Sequence, residues 1–346
     1  MIIVKNIYYM LAYAFQVLNE SGYKEVETEE FENVAELCSA ILIKGTSIQI
    51  KRGLEKDYID RTEATSSIRG KLEISESLKT NSILKSQMVC SYDDFSVDTY
   101  LNRILKATLE LLLRSDISRQ RKKGIRRILV FFADVSSIDT NDIDWNIRFA
   151  RNNQNYRMLI SVCNLVVKGL LQTSSDGSTK LMDFLDEQRM SRLYEKFILE
   201  YYRKEHPELK ASASQIPWAV DDGYTYMLPV LQTDITLASR DKELIIDAKY
   251  YSHTTQVRFD NHTVHSSNMN QIFTYVKNRT SGKGEKEVSG MLLYARTDET
   301  IYPCGVYHIS GNRISVGTLD LNCDFKEIRA QLDRIVADHF AKSERG

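Results

Sequence analysis

The sequence predicts a two-part α/β protein, and three observations carry that reading. The 346 residues are 42% hydrophobic and 27% charged, which is enough apolar chain for two cored domains. A polar stretch, "QTSSDGSTK" (172–180), interrupts the pattern near the middle. Beyond it, segments of helical period alternate with segments of strand period, the pattern of a sheet covered by helices. The boundary is therefore placed after residue 180, between an N-terminal α+β region (1–180) and an α/β domain (181–346).

The elements follow in order. Apolar positions recur at helical spacing over 6–18 and 30–43, with an acidic run (Glu25, Glu27, Glu29, Glu30, Glu32) at the start of the second helix. From Ser47 to Ser75 the pattern shortens to "SIQIKRGLEKDYI" and "SIRGKLEI", punctuated by Gly53 and Gly70, which predicts a small β-rich module. Residues 99–113 and 156–171 predict amphipathic helices. Between them, seven basic residues from Arg114 to Arg127 face one acid, Asp116. The second half predicts a helix at 189–204, strands at 224–229, 232–238 and 243–249, and a helix at 266–279. Strands at 288–295, 304–309 and 313–318 and a helix at 324–341 complete it.

Bulk chemistry narrows the classes. Lys and Arg number 46 against 47 acids, so any nucleic-acid surface must be local. Five cysteines without CxxC spacing argue against zinc ribbons and disulfide frameworks and favour a reducing, cytoplasmic setting. "IYYMLAYAF" near the N-terminus is followed by acids rather than a cleavage site, and no apolar run reaches the roughly 18 residues of a membrane span. The pattern GxxxxGK[ST] is absent, so nucleotide hydrolysis, if involved, falls to another chain.

The chemistry concentrates in "LQTDITLASRDKELIIDAKYY" (231–251). "SRDK" is a loop of hairpin length, and Asp247 and Lys249, two apart, share one face of their strand. A hairpin closing there sets Asp234 opposite the end of the second strand. Two aspartates suit Mg²⁺, with Mn²⁺ as a substitute, and a lysine beside them can orient water or offset charge on a phosphate. A salt bridge on a solvated strand edge is the competing reading of D-x-K.

These residues resemble the PD-(D/E)xK nuclease motif, with Asp234 and Asp247 as the acids and Lys249 as the lysine. "NQIFTY" (270–275) is similar to the Q-x-x-x-Y helix of RecB-like members through Gln271 and Tyr275. "LYEKFILEYYRK" (193–204) offers Glu195, or else Glu200, as the helix glutamate. "VKNIYYMLAYAF" (4–15), "IKRGLEKDY" (50–58), "IRGKLEI" (68–74) and "FSVDTYLNRILKATL" (95–109) extend the likeness, in order, to the McrC family. Those are the nuclease subunits of the McrBC modification-dependent restriction systems.

The resemblance implies a restriction-endonuclease-like core that cuts double-stranded DNA with Mg²⁺. Asp234, Asp247 and the Ala248 carbonyl would be metal ligands, Lys249 would position water, and Gln271 and Tyr275 would support the lysine or the DNA. It further implies a McrB-like AAA+ GTPase ring as partner, which reads modified cytosine and whose hydrolysis the chain stimulates. Arg52, Lys56, Arg69 and Lys71 are then candidates for contacting the ring. A stand-alone RecB-like nuclease and a GTPase-activating adaptor without cleavage remain alternatives. Of the remaining features, the basic run at 119–127 fits either a phosphate backbone or a solvated connection. His262 and His265 lack a third metal ligand and, with Arg258, fit DNA contact better. Tyr250 and Tyr251 read as packing residues.

Overall fold

A computed structural model of the protein describes residues 3–15, 31, 33–176, 187–251, 256–258, 261–282, 286–296 and 302–341. The chain divides into two compact units, Asn33–Leu181 and Met1–Glu32 together with Met182–Gly346.

In the unit Asn33–Leu181, helix α2 (Val34–Arg52) leads into a three-stranded antiparallel sheet of β1 (Asp57–Thr65), β2 (Lys71–Leu72) and β3 (Met88–Ser96), with β3 in the centre. Helix α3 (Ile74–Lys79) lies between β2 and β3. Helices α4 (Tyr100–Arg114), α5 (Arg119–Leu129) and α6 (Tyr156–Asp176) follow. Leu37, Ile41, Ile104, Leu109, Ile125, Leu159 and Val162 are fully buried at helical spacing and form the core of this bundle.

The strand expected from Ser47 is instead the last turns of α2. Ile48 and Ile50 look like strand alternation in isolation, but Gly45, Thr46 and Gln49 continue the buried helical face set by Leu37, Ile41 and Leu42. The helix stops at Gly53, whose φ of 91° places it in the left-handed region that a glycine enters without strain. The β module therefore begins at Asp57, anchored by Glu55: its carboxylate accepts from Thr99 (2.8 Å) and Asn153 (2.9 Å), and its carbonyl accepts from Asn102 (2.9 Å). Of the "QTSSDGSTK" stretch, residues up to Asp176 belong to α6 and 177–180 lie outside the described residues.

The other unit holds the larger sheet. Helix α1 (Val4–Ala14) belongs here, not with residues 33–180 as the sequence reading grouped it. Its aromatic face needs apolar cover: Tyr13 packs on Phe197, Tyr201 and Phe325, and Asn6 donates to the carbonyls of Leu321 and Cys323 (both 2.8 Å). After α7 (Glu187–Glu205) come the short paired strands β4 (Gln215–Ile216) and β5 (Leu231–Gln232), then β6 (Ile235–Ala238) and β7 (Lys242–Lys249). The chain continues through β8 (Gln256–Arg258), β9 (Asn261–Thr263), α8 (Ser266–Gly282), β10 (Glu287–Ala295), β11 (Gly305–Ile309), β12 (Asn312–Leu319) and α9 (Phe325–Phe340).

Five of these strands form a mixed sheet in the order β11-β12-β10-β7-β6. Strands β7, β10 and β12 are parallel, and the two edges are antiparallel. Parallel neighbours buried on both faces explain the continuous apolar runs "LII" and "MLLYA". No strand forms at 224–229, where Tyr224, Tyr226 and Met227 are exposed and Met227 has a φ of 64°. Among the described residues no helix is long and apolar enough to cross a membrane.

Gly290 sets how closely α8 approaches the sheet. A Cβ there would lie 2.8 Å from side-chain atoms of both Ile272 and Val276, so only hydrogen allows this contact. Gly290→Ala is expected to destabilise the protein by about 1–3 kcal/mol through overpacking, which urea unfolding would measure.

Candidate active site

Strand β7 is buried from Glu243 to Ala248 and reaches the sheet end at Lys249. Ile235 pairs with Ile246 in the β6–β7 ladder, so the position one step back, Asp234, faces Asp247. Asp234 lies just outside the regular strand, and its Oδ2 accepts a hydrogen bond from the Ala248 amide at 3.0 Å. That bond ties the first aspartate across the strand end carrying the second. The hairpin expected from "SRDK" thus brings Asp234, Asp247 and Lys249 together.

Asp247 is fully buried, and its carboxylate is the charge around which the site is arranged. Lys249 Nζ lies 2.8 Å from Asp247 Oδ2. The Asp247 carboxyl is pushed up to about 7, mainly by burial and next by the nearby Asp234 charge, with Lys249 only partly offsetting both. Asp234 is raised as well, mainly by burial, against the pull of Lys249 and the Ala248 amide. Burial alone would lower Lys249, but the two aspartates outweigh it and hold the ammonium above its ordinary value.

Helix α8 supplies a hydrogen-bonded chain to the lysine. Lys249 Nζ donates to Gln271 Oε1 (3.1 Å), Gln271 Nε2 donates to the Tyr275 hydroxyl (2.8 Å), and that hydroxyl donates to the Gln232 carbonyl (2.9 Å). The last link decides the rest. A carbonyl can only accept, so the tyrosine proton is committed to Gln232 and its oxygen must accept from the glutamine NH₂. The amide oxygen of Gln271 is thereby turned to Lys249, and the four-residue spacing on α8 keeps Gln271 and Tyr275 on one face.

Helix α7 contributes Glu195. Burial and the Asp234 charge raise its carboxyl, Lys249 lowers it, and Ser191 donates to Oε1 at 2.9 Å, so it lies within electrostatic reach of the cluster. Glu200, about 140° further round the helix at 3.6 residues per turn, pairs with Arg203 at 2.7 Å. Between the two glutamates, the structure brings Glu195 to the aspartates.

Other expected residues are dispersed. Among the partner candidates, Lys56 sits over the Phe95 ring at 5.6 Å, Arg69 over Tyr92 at 5.7 Å, and Lys71 pairs with Glu73 at 2.8 Å. Arg52 is exposed at the end of α2. The side chains of Arg258 and His262 lie outside the described residues. His265 packs beside Tyr251 with 5.6 Å between ring centroids, and Tyr250 lies 6.2 Å from Tyr194.

A second layer escaped the sequence reading. Tyr294 is the cross-strand neighbour of Lys249, and its hydroxyl accepts from Asn268 at 2.9 Å. The Tyr251 hydroxyl approaches Asn268 Oδ1 at 3.4 Å. These links pin the first turn of α8 to β10 and to the segment just after β7, one turn before Gln271. The only sequence signal for them was a buried tyrosine and asparagine at apolar-periodic positions, which reads as packing.

The donor set fits a hard divalent cation. Asp247 Oδ1 is buried with no hydrogen-bond partner among the described residues, an expensive state for a carboxylate oxygen that a cation would relieve. Two carboxylates held so close that the Asp234 charge raises Asp247 point the same way. Among the described residues no group of three or more His, Cys, Asp or Glu could hold a metal, so such a cation would keep water and substrate oxygens in its shell, as Mg²⁺ does.

The site is thus a mixed α/β sheet that ends in paired aspartates, a lysine restrained by them and a supporting glutamine. The chain belongs to the family described as McrBC 5-methylcytosine restriction system component, whose profile matches residues 4–295. It is 29% identical over 335 residues to the Escherichia coli K12 protein described as type IV methyl-directed restriction enzyme EcoKMcrBC, covering 95% of each chain. A solved half-complex from a tetradecameric assembly of Thermococcus gammatolerans McrB AAA+ hexamers with bound McrC is similar at 15% identity. That match has a TM-score of 0.49 and covers 96% of this chain and 76% of the other. The cryo-EM structure of the Thermococcus gammatolerans McrBC complex matches at 17% identity with a TM-score of 0.37, covering 49% and 55%.

The raised Asp247 carboxyl has a consequence for stability. Its folded-state value, about 7, lies above the ordinary 3.8, so the folded protein holds the extra proton and stability falls as pH rises between those values. Asp247→Asn is therefore expected to raise the thermal midpoint in EDTA, by more at pH about 8 than at pH about 5. Thermal unfolding at the two pH values measures the difference.

Proposed function

We propose that this chain is the DNA-cutting subunit of a methylation-dependent restriction complex, with a PD-(D/E)xK core over 181–346. The observation that carries the reading is the convergence of Asp234, Asp247, Lys249, Gln271, Tyr275 and Glu195 at one end of the sheet, in a chain of the McrBC family. The name of the Escherichia coli relative supports a methyl-directed restriction role.

Asp234, Asp247 and the Ala248 carbonyl would hold Mg²⁺, with Mn²⁺ as a substitute. Bound there, the cation would polarise the scissile phosphate and acidify a water. The chain's own residues do the positioning. Lys249, kept protonated by the aspartates, holds the attacking water and offsets charge gathering on the phosphate oxygens. Gln271, turned by Tyr275, limits the lysine to one direction. Glu195 extends the acidic wall and can hold a further cation-bound water.

The partner in this reading is a McrB-like AAA+ GTPase ring that selects DNA carrying modified cytosine. The unit Asn33–Leu181 binds the ring through its exposed β module, which carries Arg69 and Lys71, and through Arg52 and Lys56 just before it, and stimulates GTP hydrolysis.

Methylated and unmethylated plasmid, incubated with this protein, a McrB-type GTPase, GTP and Mg²⁺, tests the proposal. Wild type is expected to cut the methylated plasmid alone and to raise GTPase turnover. Asp247→Ala is expected to lose about 10²- to 10⁴-fold in cutting, the scale of removing a metal's several kcal/mol, while GTPase stimulation persists. Cutting indifferent to the ring would favour a stand-alone nuclease, and no cutting by wild type would favour an adaptor. Gln271→Ala is expected to lower kcat about 10- to 100-fold, the usual cost of a residue that orients a metal-site group, measured by single-turnover cleavage.

A further inference from the structure

Helix α5 carries a charge pattern that its own stability does not explain. Its sequence, RQRKKGIRRIL, holds six basic residues and no acid. Ile125 and Ile128 are buried and dock one side of the helix. Arg119, Lys123, Arg126 and Arg127 are exposed at successive spacings of four, three and one residues, so at about 100° per residue they fall within one band, a stripe along the opposite side. At 1.5 Å per residue the stripe is about 12 Å long.

Like charges four apart destabilise a helix, and cations in its first turn oppose the helix dipole. Arg121 is relieved by Glu36 at 3.3 Å, and Glu36 also accepts from the Ser118 amide at the start of the helix. For the four stripe residues no ion pair is found among the described residues. In a chain with a formal net charge of −1, this is a local concentration of cations facing outward.

We propose that this stripe is a sequence-independent contact for the phosphate backbone of double-stranded DNA, separate from the residues at the end of β7. Charge complementarity selects the occupant: duplex DNA presents about one negative charge per 1.7 Å of axis, a regular row against which a straight row of cations fits. The inference takes its choice of polyanion from the nuclease reading, and it deepens that reading by giving the unit Asn33–Leu181 a grip on the same substrate. Val130 and Phe131, 72% and 59% exposed just beyond the stripe, supply the comparison, since a protein partner docked on this side would use them as well.

The test measures binding of the full-length protein to an unmodified labelled duplex in EDTA, from about 50 to about 200 mM salt. Wild type is compared with R119Q/K123Q/R126Q/R127Q, whose glutamines keep helix propensity, and with V130S/F131S. Each neutralised phosphate contributes about 0.9 to the slope of log affinity against log salt, so the fourfold variant is expected to lose about 3 to 4. A loss of about 2 or more, with V130S/F131S at the wild-type slope and circular dichroism unchanged, supports the proposal. A smaller loss overturns it, as does a fourfold variant that keeps its DNA slope but, like V130S/F131S, no longer binds the GTPase ring. The single variant K123Q, expected to lose about 0.9, gives the same decision should the fourfold variant unfold. If the slope falls but wild type cuts no DNA with its partner, the nuclease reading is lost and the stripe remains.

Discussion

The burial of Asp247 beside Asp234 is the constraint on which the rest of this structure depends. A carboxylate at the end of a fully buried strand is costly to keep charged, and here a second carboxylate lies across from it. Lys249 answers only part of that cost, since Asp247 remains raised to about 7 with the ammonium 2.8 Å away. In the proposed reading, a divalent cation supplies the positive charge that the site is short of. Well-packed neutral residues at such buried positions often leave a fold equally or more stable, so folding alone does not account for the arrangement.

The fold serves to hold that pair in place. Strand β7 sits between β10 and β6, so its backbone is fixed on both sides, and the β6 hairpin delivers Asp234. Helix α8 is drawn close by Gly290 and pinned at its first turn by Asn268 and Tyr294, which sets Gln271 against Lys249. The lysine is therefore restrained from two directions, by the aspartates within its own sheet and by an amide from the covering helix. Changes at Asn268 or Tyr294 would act by loosening the second restraint.

Much of this was legible because short-range rules decide it. The period-two spacing of Asp247 and Lys249, the hairpin loop "SRDK" and the four-residue spacing of Gln271 and Tyr275 each place side chains without knowledge of the rest of the fold. What escaped depends on long-range packing. Ile48 and Ile50 alternate like a strand, yet the buried face of α2 carries the helix on to Arg52. Helix α1 is adjacent in sequence to one unit, yet its tyrosines find their aromatic cover in the other. Asn268 and Tyr294 are 26 residues apart and carry no motif, so only the register of β10 against β7 reveals that they support the lysine.

The claim that Asp234 and Asp247 form a cation site can be tested on the carboxyl groups themselves. Carbon-13 NMR titration of aspartate-labelled protein, assigned with Asp247→Asn, follows the Asp247 carboxyl with and without Mg²⁺. A midpoint near 7 is expected in the absence of divalent cation, falling below about 5 at saturating Mg²⁺ because the bound charge favours the carboxylate. A midpoint near the ordinary 3.8 that does not move with Mg²⁺ would contradict it.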